Sequence, residues 1–241
     1  MAVDFVRWLA VPDGAAWLDF GCGTGALTQT IVATAHPRLV VGCDRSSAYT
    51  SFAAAQVPDG AARFVVAELP DLPQIQGGFD AVVAGLVLNF LPVPLDGVRA
   101  MAARARSGGI VAAYVWDYAE GMQLLRHFWD AAATLDPATH SLDEGVQFPL
   151  CRPEPLGQLF ERAGLRDVQV QPLTVPTVFH DFDDLWAPFL GGQGPAPGYV
   201  ASMSADRQGR LRDLVQSRLR PAPDGTIHLS ASVWAAKGIA A

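Results

Sequence analysis

Short apolar runs alternate with segments of helical spacing along the first half of the chain. The runs have the length and composition of buried strands, and they lie at residues 15–20, 38–43, 62–67, 79–84 and 110–116. The segments with helical spacing lie at residues 2–11, 26–35, 46–56 and 93–106. Strands that alternate with helices in this way predict a mostly parallel sheet with helices packed on its faces.

The second half of the chain is less regular. Helices are predicted at residues 121–135, 154–163, 181–190 and 204–219. Strands are predicted at residues 165–179, with a break at Pro172 or Pro176, and at 226–236. Glycine and proline predict a surface loop at 191–198 and a turn at 58–60.

A glycine-rich turn follows the first predicted strand, at residues 19–25 (DFGCGTG). Glycines without a Cβ allow positive φ and the close approach of a ligand, and the next helix offers its unpaired N–H groups at the same place. Such a turn binds ligands at the carboxyl edge of a parallel sheet. It approximates the dinucleotide fingerprint, with Ala26 at the sixth place, but that pattern does not explain Gly25 or Asp19. A turn that only joins a strand to a helix is the simpler alternative.

A second acidic residue, Asp44, ends the second predicted strand about 20 residues after Gly23. At that distance a carboxylate can accept hydrogen bonds from both hydroxyls of a ribose. Ser46 and Ser47 begin a helix at this point, so a helix N-cap is the alternative role for Asp44. The two roles can coexist in one loop.

Composition narrows the class of protein. The chain has 241 residues, of which 50% are hydrophobic and 17% charged, and this suits one α/β domain with insertions. The formal net charge is -7, and Lys237 is the single lysine. Because the sequence has no basic run or stripe, we do not expect a nucleic-acid partner.

The three cysteines, Cys22, Cys43 and Cys151, show no CxxC spacing and no His/Cys cluster with zinc-ligand spacing. We expect reduced thiols, no metal and a cytoplasmic protein. A nucleophilic role for Cys22 is less favoured than that of a filler residue in the turn. Asp4 and Arg7 interrupt any N-terminal apolar run, so we expect no signal peptide. The sequence contains no uncharged apolar stretch of about 18 residues, so we expect no membrane span.

The spacing Asp-x-Gly-x-Gly-x-Gly at residues 19–25 resembles the first motif of class I S-adenosylmethionine-dependent methyltransferases. Further segments match this family in order and spacing, namely Asp44, Glu68-Leu69, residues 79–92 and residues 107–116. The resemblance covers about the first half of the chain. As a whole the sequence is similar to the small-molecule, ubiquinone/menaquinone-biosynthesis-like group of the family.

The resemblance implies S-adenosylmethionine as the cofactor and S-adenosylhomocysteine as the product. By analogy with the family, Glu68 takes the adenine amine, the Leu69 backbone N–H meets a ring nitrogen, and Asp44 takes the ribose. The end of the fourth strand lies near the reactive methyl group. The implied cofactor-binding residues are Asp19, Gly21, Cys22, Gly23, Gly25, Asp44, Arg45, Glu68, Leu69, Gly85 and Leu86.

The sequence departs from the family at several positions. Glu68 replaces the usual aspartate, Asn89 stands where many relatives carry histidine, and Ser107 replaces a proline. Relatives usually carry one or two helices before the position of Ala2. Either the protein lacks these helices, and we then expect a more open cofactor site, or the given sequence starts after them.

The fold that the resemblance implies is a Rossmann-like, doubly wound, seven-stranded α/β sheet, mostly parallel with the last strand antiparallel, plus helical cap insertions. We expect one methyltransferase domain over residues 1–241, with the cofactor-binding core at 1–117. Cap insertions are expected at 118–150 and 181–224, and C-terminal strands at 165–180 and 226–236.

The implied reaction is in-line transfer of a methyl group to a small-molecule acceptor, through oxygen, nitrogen, sulfur or carbon. Candidate acceptor-binding residues are Asn89, Trp116, Asp117, Trp129 and Trp186. A turn cap is the alternative for Asn89, and core packing is the alternative for the tryptophans. His127, His140 and His180 are candidate general bases, needed only where the acceptor must lose a proton, and no catalytic residue is assigned.

Three other classes of function stay open. An NAD(P)-dependent oxidoreductase uses a similar glycine turn, although the chain has no Tyr-x-x-x-Lys pair. A non-methylating enzyme fits the same fold, and so does a module that binds the cofactor without turnover. The Asn-Pro-Pro-Tyr motif of enzymes that methylate DNA or glutamine does not occur, which disfavours those substrates.

Overall fold

A seven-stranded sheet organises the chain in a computed structural model that describes residues 1–57, 60, 62–191 and 194–241. The strands are β1 (Ala16–Phe20), β2 (Leu39–Asp44), β3 (Ala62–Val66), β4 (Phe79–Gly85), β5 (Ala105–Trp116), β6 (Arg166–Phe179) and β7 (Ile227–Ile239). Their order in the sheet is β3-β2-β1-β4-β5-β7-β6. β1 therefore lies inside the sheet, and all five of its residues are buried.

The first five strands are parallel to one another, and β7 runs the other way. β1 pairs in parallel with β2 and β4, and the same direction holds for β2 with β3 and for β4 with β5. Ala240, just after β7, exchanges backbone hydrogen bonds with Gly108 and Gly109 near the start of β5, at 3.0 and 2.9 Å. The end of β7 thus lies beside the beginning of β5, and the predicted mostly parallel sheet with an antiparallel last strand is confirmed.

The helices follow the predicted segments closely in the first half of the chain. They are α1 (Ala2–Leu9), α2 (Ala26–Thr34), α3 (Ser47–Gln56), α4 (Pro94–Arg104), α5 (Gln123–Leu135), α6 (Glu144–Gln147), α7 (Pro153–Arg162), α8 (Phe182–Trp186), α9 (Pro188–Gly191), α10 (Pro195–Ala201) and α11 (Ala205–Arg218). Short 3-10 segments lie at Leu88–Phe90 and Pro137–Leu142. Ser204 caps α11 by accepting a hydrogen bond from the Arg207 N–H.

Two compact units make up the fold. The first comprises Met1–Val115, Pro153–Leu173 and Trp234–Ala241, and the second comprises Trp116–Arg152 and Thr174–Val233. Large buried side chains of the first unit come from strands and helices alike, including Trp17 of β1, Phe79 of β4 and Phe160 of α7. The single domain with a core and two cap insertions stays a prediction.

The core of the second unit is rich in aromatic side chains from its helices. Phe128 of α5 stacks on Phe189 of α9 with ring centroids 4.5 Å apart, and Trp129 and Trp186 belong to the same buried cluster. Aromatic burial of this kind contributes a large share of the packing energy of a small unit.

The predicted start of the fifth strand at residue 110 is wrong, because β5 begins at Ala105 and includes residues 107–109. These residues lie within β5, where the pairing with β4 shifts from Phe79–Ala105 to Ala81–Ile110. The extra residues on β5 form a bulge, and Gly108 adopts a φ of 72° within it. The strand continues because the hydrogen bonds to Ala240 hold this stretch in the sheet.

The predicted break in the sixth strand is also wrong. β6 runs without interruption from Arg166 to Phe179 and includes both Pro172 and Pro176. β6 is an edge strand, and an edge tolerates proline because the missing N–H donor faces away from the neighbouring strand.

The glycine- and proline-rich segment at 191–198 is only partly a loop. Its residues 192 and 193 lie outside the described residues, as do 58 and 59 of the predicted turn at 58–60. From Pro195 onwards the chain forms α10, which buries Ala196 and Val200. Proline suits the first position of a helix because its N–H would have no helical partner there. The helix predicted at 181–190 is divided into α8 and α9.

No helix within the described ranges is long and apolar enough to cross a membrane. The same residues contain no group of three or more His, Cys, Asp or Glu side chains that could hold a metal ion.

Candidate cofactor-binding site

The glycine turn joins β1 to α2 at the carboxyl edge of the sheet. Gly21, Gly23 and Gly25 adopt φ values of 69°, 53° and 91°, in the left-handed region that favours glycine. The N–H groups of Gly21 and Cys22 both donate to the Cys43 carbonyl, at 2.8 and 3.0 Å, and fasten the turn to β2. A Cβ on Gly23 would meet no atom within 4 Å, so this side of the turn faces open space.

Asp44 binds the turn from the end of β2. Its carboxylate accepts from the Gly23 N–H at 3.1 Å and from the Ser46 N–H at 2.9 Å. The side chain that caps α3 is Ser46, which accepts from the Tyr49 N–H at 3.3 Å, so the N-cap alternative for Asp44 is wrong. Each Asp44 oxygen accepts one of these bonds and retains acceptor capacity, which suits a further contact with hydroxyl groups.

Asp19 is the buried carboxylate of the site, with 1% of its surface exposed. Its Oδ2 accepts a hydrogen bond from the Thr28 hydroxyl at 2.6 Å. Its Oδ1 is buried and has no partner within the described part of the chain. Burial raises the pKa of Asp19 from 3.8 to about 6; the hydrogen bonds from Thr28 oppose the rise, and the nearby charge of Asp44 adds to it.

The Oδ1 atom of Asp19 is a hydrogen-bond acceptor without a donor among the described residues. A buried acceptor without a partner is unfavourable by about 1–3 kcal/mol, and such atoms are rare in native proteins. A ligand with an N–H or a cationic group would satisfy it. The unpaired acceptor and the open space beside Gly23 are compatible with a ligand that carries a donor group and approaches the turn backbone closely.

The thiols of Cys22 and Cys43 beside the turn are buried. Cys22 is 7% exposed, and burial raises the pKa of its thiol well above the usual range. Burial also raises the pKa of Cys43 to about 12. The thiolate is the nucleophilic form of cysteine, and a raised pKa disfavours it. The raised pKa values therefore favour a packing role for Cys22 over a nucleophilic one.

The end of β4 reaches the same edge of the sheet, because β4 pairs with β1. Leu86 adopts a φ of 60°, a strained conformation for a side chain of this size, and its N–H donates to the Tyr114 carbonyl at 2.9 Å. A Cβ on Gly85 would lie 2.6 Å from the Tyr114 hydroxyl oxygen, so only glycine fits there. Strained backbone of this kind concentrates at functional sites.

The end of β3 lies next to Asp44, since the Ala67 N–H donates to the Asp44 carbonyl at 3.1 Å. Glu68 follows directly and is exposed, and Leu69 is half-buried. Arg45 is also exposed. The structure thus gathers the predicted residues of the first three strands and β4 at one edge, with Arg45 and Glu68 at its exposed rim.

The acceptor-binding candidates divide between the two units. Asn89 belongs to the first unit, in the 3-10 segment after β4, and its Nδ2 is buried without a partner among the residues that the structure describes. That segment has no side-chain cap, so the capping alternative for Asn89 is not supported.

The other candidates belong to the second unit. Trp129 and Trp186 are 2% and 4% exposed and lie in its aromatic core, where the Trp129 indole N–H donates to Glu144. Trp116 is half-buried, and Asp117 accepts from the Glu120 N–H at 3.1 Å. Their role in binding an acceptor stays a prediction.

The candidate general bases differ in burial, and the charges nearest to His127 are those of Asp130 and Arg218. His127 is half-buried, and burial lowers its pKa. His140 and His180 are exposed. No catalytic residue is assigned from these positions.

Three residues of the site were missed by the sequence analysis: Thr28, Val87 and Tyr114. Thr28 bonds to Asp19, Val87 packs where a Cβ on Gly21 would otherwise lie, and Tyr114 packs over Gly85. Only Thr28 had a sequence signal, as a hydroxyl among the inward-facing positions of α2 next to Leu27 and Ile31.

Comparisons with solved structures identify the fold. A candidate methyltransferase of Bacillus halodurans superposes with a TM-score of 0.64 at 13% identity, over 99% of this chain and 97% of its own. A candidate methyltransferase from an antibiotic biosynthesis pathway of Anabaena variabilis gives 0.63 at 16% identity, over 98% and 95%. At these identities the likeness shows the fold, which is that of class I methyltransferases.

A phosphoethanolamine N-methyltransferase of Haemonchus contortus shares the fold over half of its own length. It gives a TM-score of 0.58 at 15% identity, over 98% of this chain and 51% of that protein. A comparison with curated protein sequences finds no match.

The sequence itself matches a family profile, described as a methyltransferase domain, over residues 18–113. This stretch begins in β1, contains the glycine turn and Asp44, and ends in β5. Residues 18–113 match a methyltransferase domain, and the prediction of a class I S-adenosylmethionine-dependent methyltransferase is confirmed at the level of the fold and of this domain match. The ubiquinone/menaquinone-like group stays a prediction.

Proposed function

We propose that this protein transfers a methyl group from S-adenosylmethionine to a small-molecule acceptor, with the cofactor bound at the glycine turn. The observation that carries the proposal is the pair of carboxylates at the carboxyl edge of the sheet. Asp44 holds the turn, and Asp19 presents a buried, unpaired oxygen beside it. The methyltransferase domain over residues 18–113 supports the choice of this cofactor over other nucleotides.

Each end of the cofactor has chemically suitable residues in the chain. The turn at Gly21, Cys22, Gly23 and Gly25 would receive the amino-acid end beside Asp19, because its backbone is open to close approach. Asp44 would accept from the ribose hydroxyls, with Arg45 at the rim. Glu68 and Leu69 would contact the adenine, and Gly85 and Leu86 would lie near the reactive end.

The cofactor supplies an activated methyl group on a positively charged sulfur. The chain's own residues therefore have to bind, orient and exclude water rather than activate a leaving group. A general base is needed only for an acceptor that must lose a proton, and none of the three histidines has a described feature that selects it.

Two observations support a small-molecule acceptor, namely the net charge of the chain and the ligand of a structurally similar protein. The sequence has a net charge of -7 and no basic stripe for a nucleic acid. The Haemonchus contortus enzyme was solved in complex with phosphomonomethylethanolamine and S-adenosylhomocysteine. We propose that the unpaired Asn89 amide contacts the acceptor, with Trp116, Asp117, Trp129 and Trp186 as further candidates, and that the protein works in the cytoplasm.

A thermal-shift panel tests the cofactor. S-adenosylmethionine, S-adenosylhomocysteine, NAD and NADP are each added to the full chain, and a ligand at 100 times its Kd should stabilise the protein by about 2.7 kcal/mol. We expect a raised Tm with both adenosyl compounds. A raised Tm with NAD or NADP alone would replace the proposal with an oxidoreductase.

The Asp44→Ala variant tests the ribose assignment in the same format. We expect S-adenosylhomocysteine to bind at least about tenfold more weakly, because a hydrogen bond to a charged group contributes about 1.5–3 kcal/mol. Asp13→Ala is the matched control, since Asp13 is exposed in the connection before β1, at the opposite edge of the sheet. Equal affinity in both variants would contradict the role of Asp44.

A further inference from the structure

The connection between β3 and β4 differs from the other crossovers between the parallel strands. β1, β2 and β3 are joined through α2 and α3, and β4 and β5 are joined through α4. Parallel strands are usually connected by such a helix. Residues 67–78, all of which the structure describes, join β3 to β4 without one. Since this crossover and the next advance in the same direction across the sheet, a helix here would lie on the same face as α4.

A groove of about 690 Å³ lies between this connection and α4. Leu69 and Pro70 of the connection line it, together with residues 91–93 before the helix. Gly97 of α4 allows this wall to approach closely, because a Cβ there would overlap the Leu91 side chain. The groove is therefore an apolar surface beside a helix that has no helical neighbour from the preceding crossover.

The side of α4 that lines the groove carries two charged and two small residues, namely Asp96, Arg99, Ala100 and Ala103. Their spacing of three and four residues places them on one face of the helix. Asp96 and Arg99 are exposed, and neither side chain has a hydrogen bond or an ion pair among the described residues. The two alanines leave room for another helix to pack at a short distance.

We propose that this face of α4 is the interface of a homodimer, in which α4 of a second copy of the chain packs antiparallel to it about a two-fold axis. The axis passes between Gly97 and Val98, so that Asp96 of each copy lies opposite Arg99 of the other. Residues 92–93 of each copy then lie over Ala103 of the other and enter its groove. The inference does not depend on the proposed function.

Charge complementarity favours a second copy as the occupant of the groove. Antiparallel packing reverses the order of the two charges, so symmetry forms two contacts between opposite charges. The chain as a whole has a net charge of -7, which opposes self-association, so an interface between copies needs local neutralisation of this kind. Val93 is 52% exposed and would be buried twice, once in each groove.

Sedimentation velocity of the full chain over a range of concentrations tests the interface. We expect the wild type to form a dimer of twice the 25.6 kDa of one chain. Asp96→Arg and Arg99→Asp each place like charges opposite one another at both contacts, so each should weaken dimerisation by at least about a hundredfold. Asp13→Arg changes the net charge as Asp96→Arg does, at an exposed residue outside α4, and should leave the dimer unchanged.

A mixture of the two single variants separates charge pairing from misfolding. The Asp96→Arg chain has two positive groups on this face of α4, and the Arg99→Asp chain has two negative groups. The two variants, each monomeric alone, should therefore form a heterodimer when mixed. The double variant Asp96→Arg, Arg99→Asp should dimerise with itself as the wild type does.

A substitution in the groove tests its apolar part. Ala103→Glu should weaken dimerisation at least about tenfold, because it places a charge against residues 92–93 of the second copy. Ala54→Glu, at an exposed alanine of α3, is the matched control. A wild-type monomer at every concentration would assign the groove to another occupant and overturn the inference. A dimer that both single-charge variants retain, or a mixture of them that forms no heterodimer, would overturn it as well.

Discussion

Two aspartates at opposite edges of the same pair of strands have opposite surroundings. Asp80, near the start of β4, accepts from the Ala16 N–H at 2.8 Å and from Arg106 Nε at 2.7 Å. These bonds lower the pKa of Asp80. Asp19, near the end of β1, is more deeply buried and has one oxygen without a partner, and its pKa is raised to about 6.

The ionised carboxylate of Asp80 stabilises the folded state. The ionised carboxylate of Asp19 destabilises it, and interactions elsewhere in the fold must compensate. At the amino edge, each carboxylate oxygen of Asp80 accepts a hydrogen bond, so ionisation of Asp80 favours folding. At the carboxyl edge, ionisation of Asp19 is unfavourable, because the carboxylate is buried and one of its oxygens has no partner among the described residues. Proteins commonly give up stability at binding sites in this way, and the surrounding core compensates.

The largest expected effect is on the stability of the ligand-free protein. The rise of the Asp19 pKa from 3.8 to about 6 corresponds to about 3 kcal/mol at neutral pH, so Asp19→Asn should be more stable by up to this amount. Asp80→Asn should be less stable by about 1–3 kcal/mol, because it weakens satisfied hydrogen bonds. Urea denaturation at pH 7.5 measures both, and a loss of stability in both variants would contradict the comparison.

The pH dependence of stability sharpens the same contrast. The folded state holds the Asp19 proton up to about pH 6, whereas the unfolded chain releases it near 3.8. The free energy of unfolding should therefore fall as pH rises between these values, by up to about 3 kcal/mol from this group. The lowered pKa of Asp80 acts in the opposite sense, since its contribution is present above 3.8 and is lost on acidification.

Denaturation curves from pH 4 to 7 distinguish the two acids. The fall in stability should be absent from Asp19→Asn and retained in Asp80→Asn. The same fall in Asp19→Asn as in the wild type would assign it to another group.

Glycines at the two edges of the sheet should also differ in how much their substitution by alanine lowers stability. Gly14 precedes β1 with a φ of 76° and open space around it, so Gly14→Ala should cost only about 1–2 kcal/mol for its backbone conformation. Gly21 has a similar φ of 69°, but a Cβ there would overlap Val87. Gly21→Ala should therefore be less stable than Gly14→Ala by about 2 kcal/mol.

The double variant Gly21→Ala, Val87→Ala tests the cause of that difference. Removing the Val87 side chain should make the glycine substitution cost no more than it does at Gly14. An undiminished cost in thermal denaturation would show that the conformation of the backbone, and not the contact, explains it.

The smallest expected effect concerns the two arginines beside Asp80. Arg38 lies 3.5 Å away with its side chain 55% exposed, so Arg38→Gln should change stability by less than about 0.5 kcal/mol. Arg106 donates to the carboxylate at 2.7 Å, and Arg106→Gln should cost more. Equal effects in urea denaturation would contradict a specific hydrogen bond from Arg106.

Most strands and helices of the first half could be predicted from the sequence. Buried parallel strands are continuous apolar runs, and glycine, proline and serine mark their ends, so β1, β2 and α3 lie where local pattern predicts them. The order of Asp19, the glycines and Asp44 along these elements also predicted their meeting at one edge. Parallel strands bring their carboxyl ends together, and no long-range information was needed.

The errors all lie where tertiary contacts override local preference. The sequence predicts that the fifth strand begins after the glycine pair at 108 and 109, but hydrogen bonds to Ala240 include that pair in β5. Pro172 and Pro176 predict a break, but the edge position of β6 tolerates them. Pro195 and Gly198 predict a loop, but burial of Ala196 and Val200 favours α10.

The sequence by itself determined the class of fold and the positions of the glycines and acids, because these depend on backbone freedom and on the period of apolar residues. Only the tertiary structure decided the burial, the hydrogen bonding and the raised pKa of Asp19. Its burial, its bond from Thr28 and its unpaired oxygen arise from packing among β1, α2 and their neighbours. The same amino acid is a paired anion at position 80 and a raised-pKa acid at position 19, because the surroundings decide whether its charge is solvated, paired or buried alone.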